Sequence, residues 1–261
     1  MDILFFVVSF LSSIVGAICG IGGGVIIKPV LDVLHLESVS TISFLSSCTV
    51  LSMSCYSVCK FLLAGERRVS LKTGTPLALG AAAGGLAGNA LFTYVRGIYQ
   101  DPNTVGAVQA ICLAAVTLGT LLYTVNKGRI QTYSVQNQAL CVVIGLGLGC
   151  MSSFLGIGGG PINLVVLYFF FSMDTKTAAA NSLYIIFFSQ LASVLTTVLT
   201  HNVPSFRWNV FILMVSGGIG GGIIGRTLNR KIDDRAVEHL FIALMAVIIA
   251  ISLFNTWRYG K

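Results

Sequence analysis

Four glycines in five residues, Gly20-Ile21-Gly22-Gly23-Gly24, interrupt an apolar stretch, and the same pentapeptide returns as Gly156-Ile157-Gly158-Gly159-Gly160. Glycine has no side chain and costs a helix interior roughly 1 kcal/mol relative to alanine, so each cluster opens a helix. At membrane depth an open backbone survives only against protein or a water-filled cavity, because lipid offers nothing to the freed N–H and C=O groups. Two such breaks, at matching places in two halves of a chain, are the sequence sign of a substrate site near the bilayer midplane. The pattern predicts non-helical turns at 20–24 and 156–160 that meet there.

Composition sets the class. Hydrophobic residues make up 55% of the chain and charged residues 10%, against about 25% charged in soluble domains. The expectation is an all-α polytopic membrane protein in the lipid bilayer. Sixteen Lys and Arg against nine acids give +7, but these cations lie mostly between apolar segments, where they orient a chain in the membrane. No basic stripe with interleaved aromatics speaks for a nucleic acid. The opening Met1-Asp2-Ile3 lacks a basic n-region and a cleavage site, so the first segment reads as retained.

Runs long enough to span, roughly 20 residues each, lie at about 3–19, 40–64, 73–95, 104–125, 138–155, 177–200, 209–229 and 237–256. Two shorter pieces, 25–36 and 161–173, follow the glycine clusters and read as half-helices. The repetition extends further: Ser46-Ser47 aligns with Asn181-Ser182, and Gly80, Gly84 and Gly88 with Gly217, Gly221 and Gly225. Residues 1–126 and 138–261 are therefore expected to be homologous repeats of four segments each, joined by a polar linker at 127–137. The spaced glycines read as helix-packing surfaces.

Two topologies fit. If all eight segments cross, the repeats are parallel and the assignable cations divide eight to five. If segments one and five dip in and return through the half-helices, the repeats are inverted. Arg67, Arg68, Lys72, Lys127, Arg129, Lys176, Arg230, Lys231 and Arg235 then share one side, and Arg96, Arg207, Arg258 and Lys261 the other. Nine to four is the better positive-inside split, so the inverted arrangement with both termini outside is favoured. Against it, some 17 residues before the first break are long for a half-helix.

A helix that restarts after a break presents unpaired amides and the positive end of its dipole, a ready site for an anion. Pro161 suits a first helical position. No arginine lies in mid-segment, so backbone amides at Gly22, Gly23, Gly24, Gly158, Gly159 and Gly160 are the expected anion-holding groups. Ser46, Ser47, Asn181 and Ser182 supply hydroxyl and amide side chains nearby, with Thr49 and Gln190 as weaker candidates beside the alternative that they bond their own helices. Lys28 is the one cation near a break. It stands four residues before Asp32, on one helical face, where the two can neutralise each other. Lys60 and Arg226 read as interfacial anchors. His35, His201 and His239 fall near segment ends. Cys19, Cys48, Cys55, Cys59, Cys112, Cys141 and Cys150 form no metal-binding pattern and read as small buried hydrophobes.

The paired glycine clusters, Ala180-Asn181-Ser182-Leu183, and the segments ending Gly84-Gly85-Leu86-Ala87-Gly88 and Gly221-Gly222-Ile223-Ile224-Gly225 resemble the TauE/SafE family of sulfite and organosulfonate exporters across essentially the whole chain. The resemblance implies a multi-pass protein of the bacterial inner membrane, a secondary transporter moving a small sulfur-containing anion such as sulfite, sulfoacetate or a related sulfonate outward. A coupling proton or ion belongs to that reading, and both a monomer and a homodimer are compatible with it. A passive anion channel and a carrier of another small carboxylate or oxyanion are the alternatives. No Walker sequence supports ATP-driven transport and no cofactor is called for; an enzyme would need a nucleophile, metal cluster or acid–base pair inside the membrane, and none is visible.

Overall fold

The computed structural model describes residues 2–34, 36–63, 70–98, 102–157 and 159–259. Among them are ten α-helices, a 3₁₀ turn at Lys127–Arg129 and no strand. The helices are α1 (Asp2–Cys19), α2 (Gly24–Leu34), α3 (Val39–Leu63), α4 (Leu71–Ile98), α5 (Pro102–Asn126), α6 (Gln138–Leu155), α7 (Pro161–Phe171), α8 (Thr175–Leu199), α9 (Trp208–Lys231) and α10 (Asp234–Tyr259). Eight of them, all but α2 and α7, are long and apolar enough to cross a membrane. With 11 residues each, α2 and α7 are about 16 Å long, half of a hydrocarbon core.

Local chemistry sets several ends. The Asn137 side chain accepts from the Ala139 and Leu140 amides to start α6, and Asp174 accepts from the Thr177 amide to start α8. Pro161 opens α7, where its missing N–H costs nothing. Left-handed Gly156 closes α6.

Two tight helix pairs frame the molecule. Along α9, Gly217, Gly221 and Gly225 face the backbone of α1 at Phe6, Phe10 and Ile14 in turn. Along α4, Gly80, Gly84 and Gly88 face α6 at Val142, Leu146 and Cys150, and Gly145 and Gly149 of α6 return the contact on Leu77 and Ala81. A Cβ at Gly84 would fall inside the Leu146 carbonyl oxygen, so these glycines let two backbones touch. Both pairs run parallel. Exchanging α1–α5 with α6–α10 carries α1·α9 onto α6·α4, α3·α9 onto α8·α4 and α2·α10 onto α7·α5, while α3·α8 and α5·α10 map onto themselves.

Where the helices begin and end follows from polar contacts. At the start of α9, Arg207 bonds Asp2, which opens α1, at 2.9 Å, and Glu37, just past α2, at 3.2 Å. The chain therefore enters along α1 and returns along α2 to the same face. In the other half, the Tyr133 and Val135 amides donate to Phe169 and Phe170 carbonyls, which joins the approach to α6 to the end of α7. Here Lys127 pairs with Glu238 and Lys176 with Asp234. Helix α9, 24 residues and about 36 Å long, connects the two faces, so the hairpins α1–α2 and α6–α7 enter from opposite ends. The hairpin arms are unequal. Helix α1 has 18 residues, and the Ile18 carbonyl near its tip accepts from Asn229 near the end of α9 at 2.6 Å. The entering arm α1 therefore runs alongside α9 almost to its end, and only the returning arm is half-length.

Replacing Gly84 with valine should lower stability by about 1–3 kcal/mol or prevent folding, because the α4–α6 backbones cannot part. Gly147 of α6 has nothing within 4 Å of an added Cβ, and Gly147→Ala should fold normally. Equal thermal midpoints for the two variants in detergent would contradict this packing.

Candidate functional site

Each break has the same anatomy. Gly20 (φ 76°) and Gly156 (φ 63°) take the left-handed conformation, and the next amides, Ile21 and Ile157, reach back to the Gly16 and Ser152 carbonyls to close α1 and α6. A side chain is strained in that conformation, so glycine is needed there. The backbone then reverses: Gly23 lies against Ser13 and Gly22–Gly23 against Gly16. Helix α2 restarts at Gly24, with the Ile26 and Ile27 amides on the Gly23 carbonyl. Helix α7 restarts at Pro161 after Gly160, whose position gives no side-chain cap; Pro161 has no N–H and the Asn163 amide donates to the Gly160 carbonyl at 3.1 Å, which leaves Ile162 as the other first-turn amide. Gly159 (φ 115°) abuts Ile186. Gly158 lies outside the described residues.

The breaks meet each other and the opposite half. Gly24 packs on the Ile157 carbonyl, so an added Cβ there would force the hairpins apart. Gly20 rests on Ala179 of α8, and Gly156 rests on Ser43 of α3, whose Oγ would lie 2.8 Å from an added Cβ. These contacts fix the register between the halves: 156 − 20 and 179 − 43 are both 136. Ser46 thus corresponds to Ser182, one residue away from the alignment read in the sequence. Both are fully buried and both hydroxyls lack a partner. Ser46 Oγ would be 3.0 Å from a Cβ on Gly24.

Asn181 does not join them. Its amide group donates to the Thr177 carbonyl at 2.8 Å and its oxygen accepts from the Ser70 amide at 3.2 Å, just before α4. This side chain ties the starts of α8 and α4 together. Thr49 bonds the Leu45 carbonyl of its own helix. Gln190 points its nitrogen at Ser152 and keeps a partnerless oxygen.

Ser47 lies on the wall of a cleft enclosing about 700 Å³, between α3, α4 and α8. Ser43, Ser153, Gln109 and Gly156 form its depth, and Arg96 and Asn202 its mouth, on the face where α1 begins. No acid lines it among the described residues. Lys28, expected beside the first break, in fact lies against the second: its Cε would be 3.5 Å from a Cβ on Gly156. It is buried and paired with Asp32 at 2.7 Å.

The exchange of halves carries this cleft onto a cavity of about 350 Å³ at the opposite face. Three serines of the cleft, Ser43, Ser47 and Ser153, become Ala179, Leu183 and Ala17, each 136 positions away. Arg226 occupies this side. Its guanidinium stands 4.0 Å from the Phe61 ring centre and donates to the Ser57 carbonyl at 3.2 Å. It is buried rather than an interfacial anchor, because α9 turns its glycine face to α1 and position 226 towards α3.

Sequence reasoning passed over Ser13, Ser43, Ser153, Gln109 and Asn163, all buried with an unpartnered oxygen. A signal existed for the amides: Asn163 is the only polar side chain in Pro161–Phe171 apart from the Tyr168 hydroxyl, and Gln109 stands alone in an apolar run. Among the described residues no group of three or more His, Cys, Asp and Glu could hold a metal.

A family model described as Sulfite exporter TauE/SafE matches residues 5–253. The probable membrane transporter protein YunE of Bacillus subtilis (strain 168) is 23% identical over 94% of this chain and 95% of its own length. The probable membrane transporter protein MamO of Magnetospirillum gryphiswaldense is 30% identical over 44% of this chain but only 19% of its own. A probable membrane transporter protein of Xylella fastidiosa (strain Temecula1) is 29% identical over 42% of this chain and 41% of its own. No solved structure matches the chain.

The unequal cavities give a direct test in a background without the native cysteines. A thiol placed by Ser47→Cys should react with a small polar thiol reagent about tenfold faster or more than one placed by Leu183→Cys, since a closed environment suppresses thiolate chemistry. Equal rates would show that both faces are open.

Proposed function

The chain belongs to the TauE/SafE sulfite exporter family and is a membrane transporter, and from that premise we propose that it exports a small sulfur-containing anion, such as sulfite, sulfoacetate or another organosulfonate, by alternating access. One observation carries the reading. Two glycine breaks touch beneath a polar cleft on the face where α1 begins, with unpartnered hydroxyls around them.

In this reading the two halves, 1–126 and 138–261, are inverted repeats, and the substrate sits between their hairpins. The start of α7 supplies amides and a positive dipole end; Ser43, Ser46, Ser47 and Ser182 supply hydroxyl donors to sulfonate oxygens. Lys28 adds a cation from below and Arg96 draws anions to the mouth. Buried hydroxyls without partners cost free energy unless something bonds them, which is what an oxyanion with three acceptor oxygens does. A channel would need a continuous polar path. Here the opposite face carries Ala17, Ala179 and Leu183 at the equivalent places, beneath Arg226 and Phe61. That asymmetry favours a carrier caught open to one side, and the positive-inside split makes that side the extracytoplasmic one.

Purified protein should be stabilised thermally by at least one of sulfite, sulfoacetate, taurine, thiosulfate and sulfate, with an effect that grows as concentration exceeds Kd. Ser46→Ala and Ser182→Ala should each weaken that binding by roughly 1–3 kcal/mol. Stabilisation by none of the five, or unchanged affinity in both variants, would refute the assignment. For orientation, in intact cells an impermeant thiol reagent should label Asn202→Cys and reach Gly128→Cys only after permeabilisation; the opposite pattern would invert the protein in the membrane.

A further inference from the structure

Next to the proposed anion site lies a second, much smaller gap between α2, α5 and α10, with room for about one water and lined by Lys28, Asp32, Gln109, Ser252 and Asn255 among others. Three of its oxygens are buried and unpartnered: Asp32 Oδ1, Gln109 Oε1 and Ser252 Oγ, on residues 5%, 3% and 1% exposed. The carboxylate and amide oxygens accept, and the Ser252 hydroxyl can donate or accept. The other Asp32 oxygen takes the Lys28 ammonium at 2.7 Å, and Asn255 braces α2 by donating to the Pro29 carbonyl at 3.1 Å. Gln109 belongs to both spaces, since it also lines the depth of the cleft while its nitrogen donates to the Phe154 carbonyl at 2.7 Å. Asp32 Oδ1 is thus a buried carboxylate oxygen without a partner, joined to the polar cleft through one shared side chain.

We propose that Asp32 is the binding site of a coupling proton, and that Lys28 transmits its occupancy to the anion. The proposal rests on the anion-transport reading above. With Asp32 ionised, Lys28⁺ and Asp32⁻ neutralise each other and the pair offers an anion nothing. A proton entering by way of the cleft and Gln109 binds Asp32 Oδ1 and removes the negative partner of Lys28. The ammonium, whose stem lies along Gly156, then carries one uncompensated positive charge beside the second break. A monoanion arriving there restores neutrality. Protonation of Asp32 and anion binding therefore favour each other, by the same factor in each direction, and proton and anion cross together. Export of a cytoplasmic anion then runs down the anion's own gradient, and an acidic exterior opposes it.

Among the described residues the neighbouring elements hold no competing carboxylate, imidazole or ammonium at this place, and His35, just past α2, lies outside the described residues. Helix α1 carries only Asp2, at the face, α3 only Lys60, at its far end, and α5 no charge. Helix α10 carries Asp234, Arg235, Glu238 and His239 at its other end, and Arg258, which donates to the Val33 carbonyl. No thiol or phenol lines the cavity.

The test uses purified protein in proteoliposomes with labelled methanesulfonate, a monoanion whose sulfonate stays ionised between about pH 6 and 8. Counterflow at equal pH on both sides reports anion exchange by itself. With the membrane potential clamped by valinomycin and equal potassium, an outside pH one unit lower should drive transient accumulation of up to about tenfold, as one proton per anion requires. Asp32→Asn should show counterflow that no longer changes with pH and no gradient-driven accumulation. Should that variant not fold, Asp32→Ser, which keeps a polar partner for Lys28, carries the same expectation. Counterflow without proton-driven accumulation in the wild type, accumulation driven by a sodium gradient instead, or proton-driven accumulation by the Asp32 variants would each overturn the coupling site. Absence of wild-type counterflow would overturn the anion-transport reading itself, and the coupling site with it.

Discussion

Every broken helix in a membrane must hand its freed backbone groups to protein or to water. The rest of this structure is arranged around that need. Helices α1 and α6 stop at the glycine breaks, and their tips are covered because Gly20 sits on α8, Gly156 sits on α3 and Gly24 sits on the Ile157 carbonyl. The glycine seams between α1 and α9 and between α4 and α6 serve the same end. Lipid supplies no hydrophobic drive between helices, so close backbone contact must supply the attraction. Small residues thus do two jobs in the chain: in spaced rows they fasten helices, and in clusters they open them.

Two halves with the same helical plan have diverged in what lines it. Ser43, Ser47 and Ser153 on one side become Ala179, Leu183 and Ala17 on the other, with Arg226 held by Phe61 and the Ser57 carbonyl. The difference between the two faces therefore comes from side-chain chemistry laid over a nearly symmetric backbone: hydroxyls line one, and alanines, a leucine and cationic side chains line the other.

Charge is used sparingly inside. Among the described residues in the helical interior, Lys28 and Asp32 are a buried ion pair, and such pairs return little net stability after desolvation. A device that contributes little to folding and sits between two cavities is suited to responding to a ligand. In the proposed function, the hydroxyls and helix starts around the breaks would hold an anion through many modest contacts, which would let it leave again.

The sequence by itself determined whatever depends on near neighbours along the chain. Helix limits fall within a few residues of the apolar runs, because apolar periodicity and glycine or proline punctuation act locally. The short pieces after the glycines, the packing role of Gly80, Gly84 and Gly88, and the Lys28–Asp32 pair at one helical turn's spacing were legible for the same reason. Tertiary structure alone decided which groups face which. Asn181 bonds Ser70, 111 positions away, and Gln109 reaches Phe154; Lys28 crosses to the other half's break; the register between the halves shifts by one. Each of these depends on how two helices are rotated and stacked against one another. That is set by the sum of many long-range backbone contacts, which no local pattern of residues records.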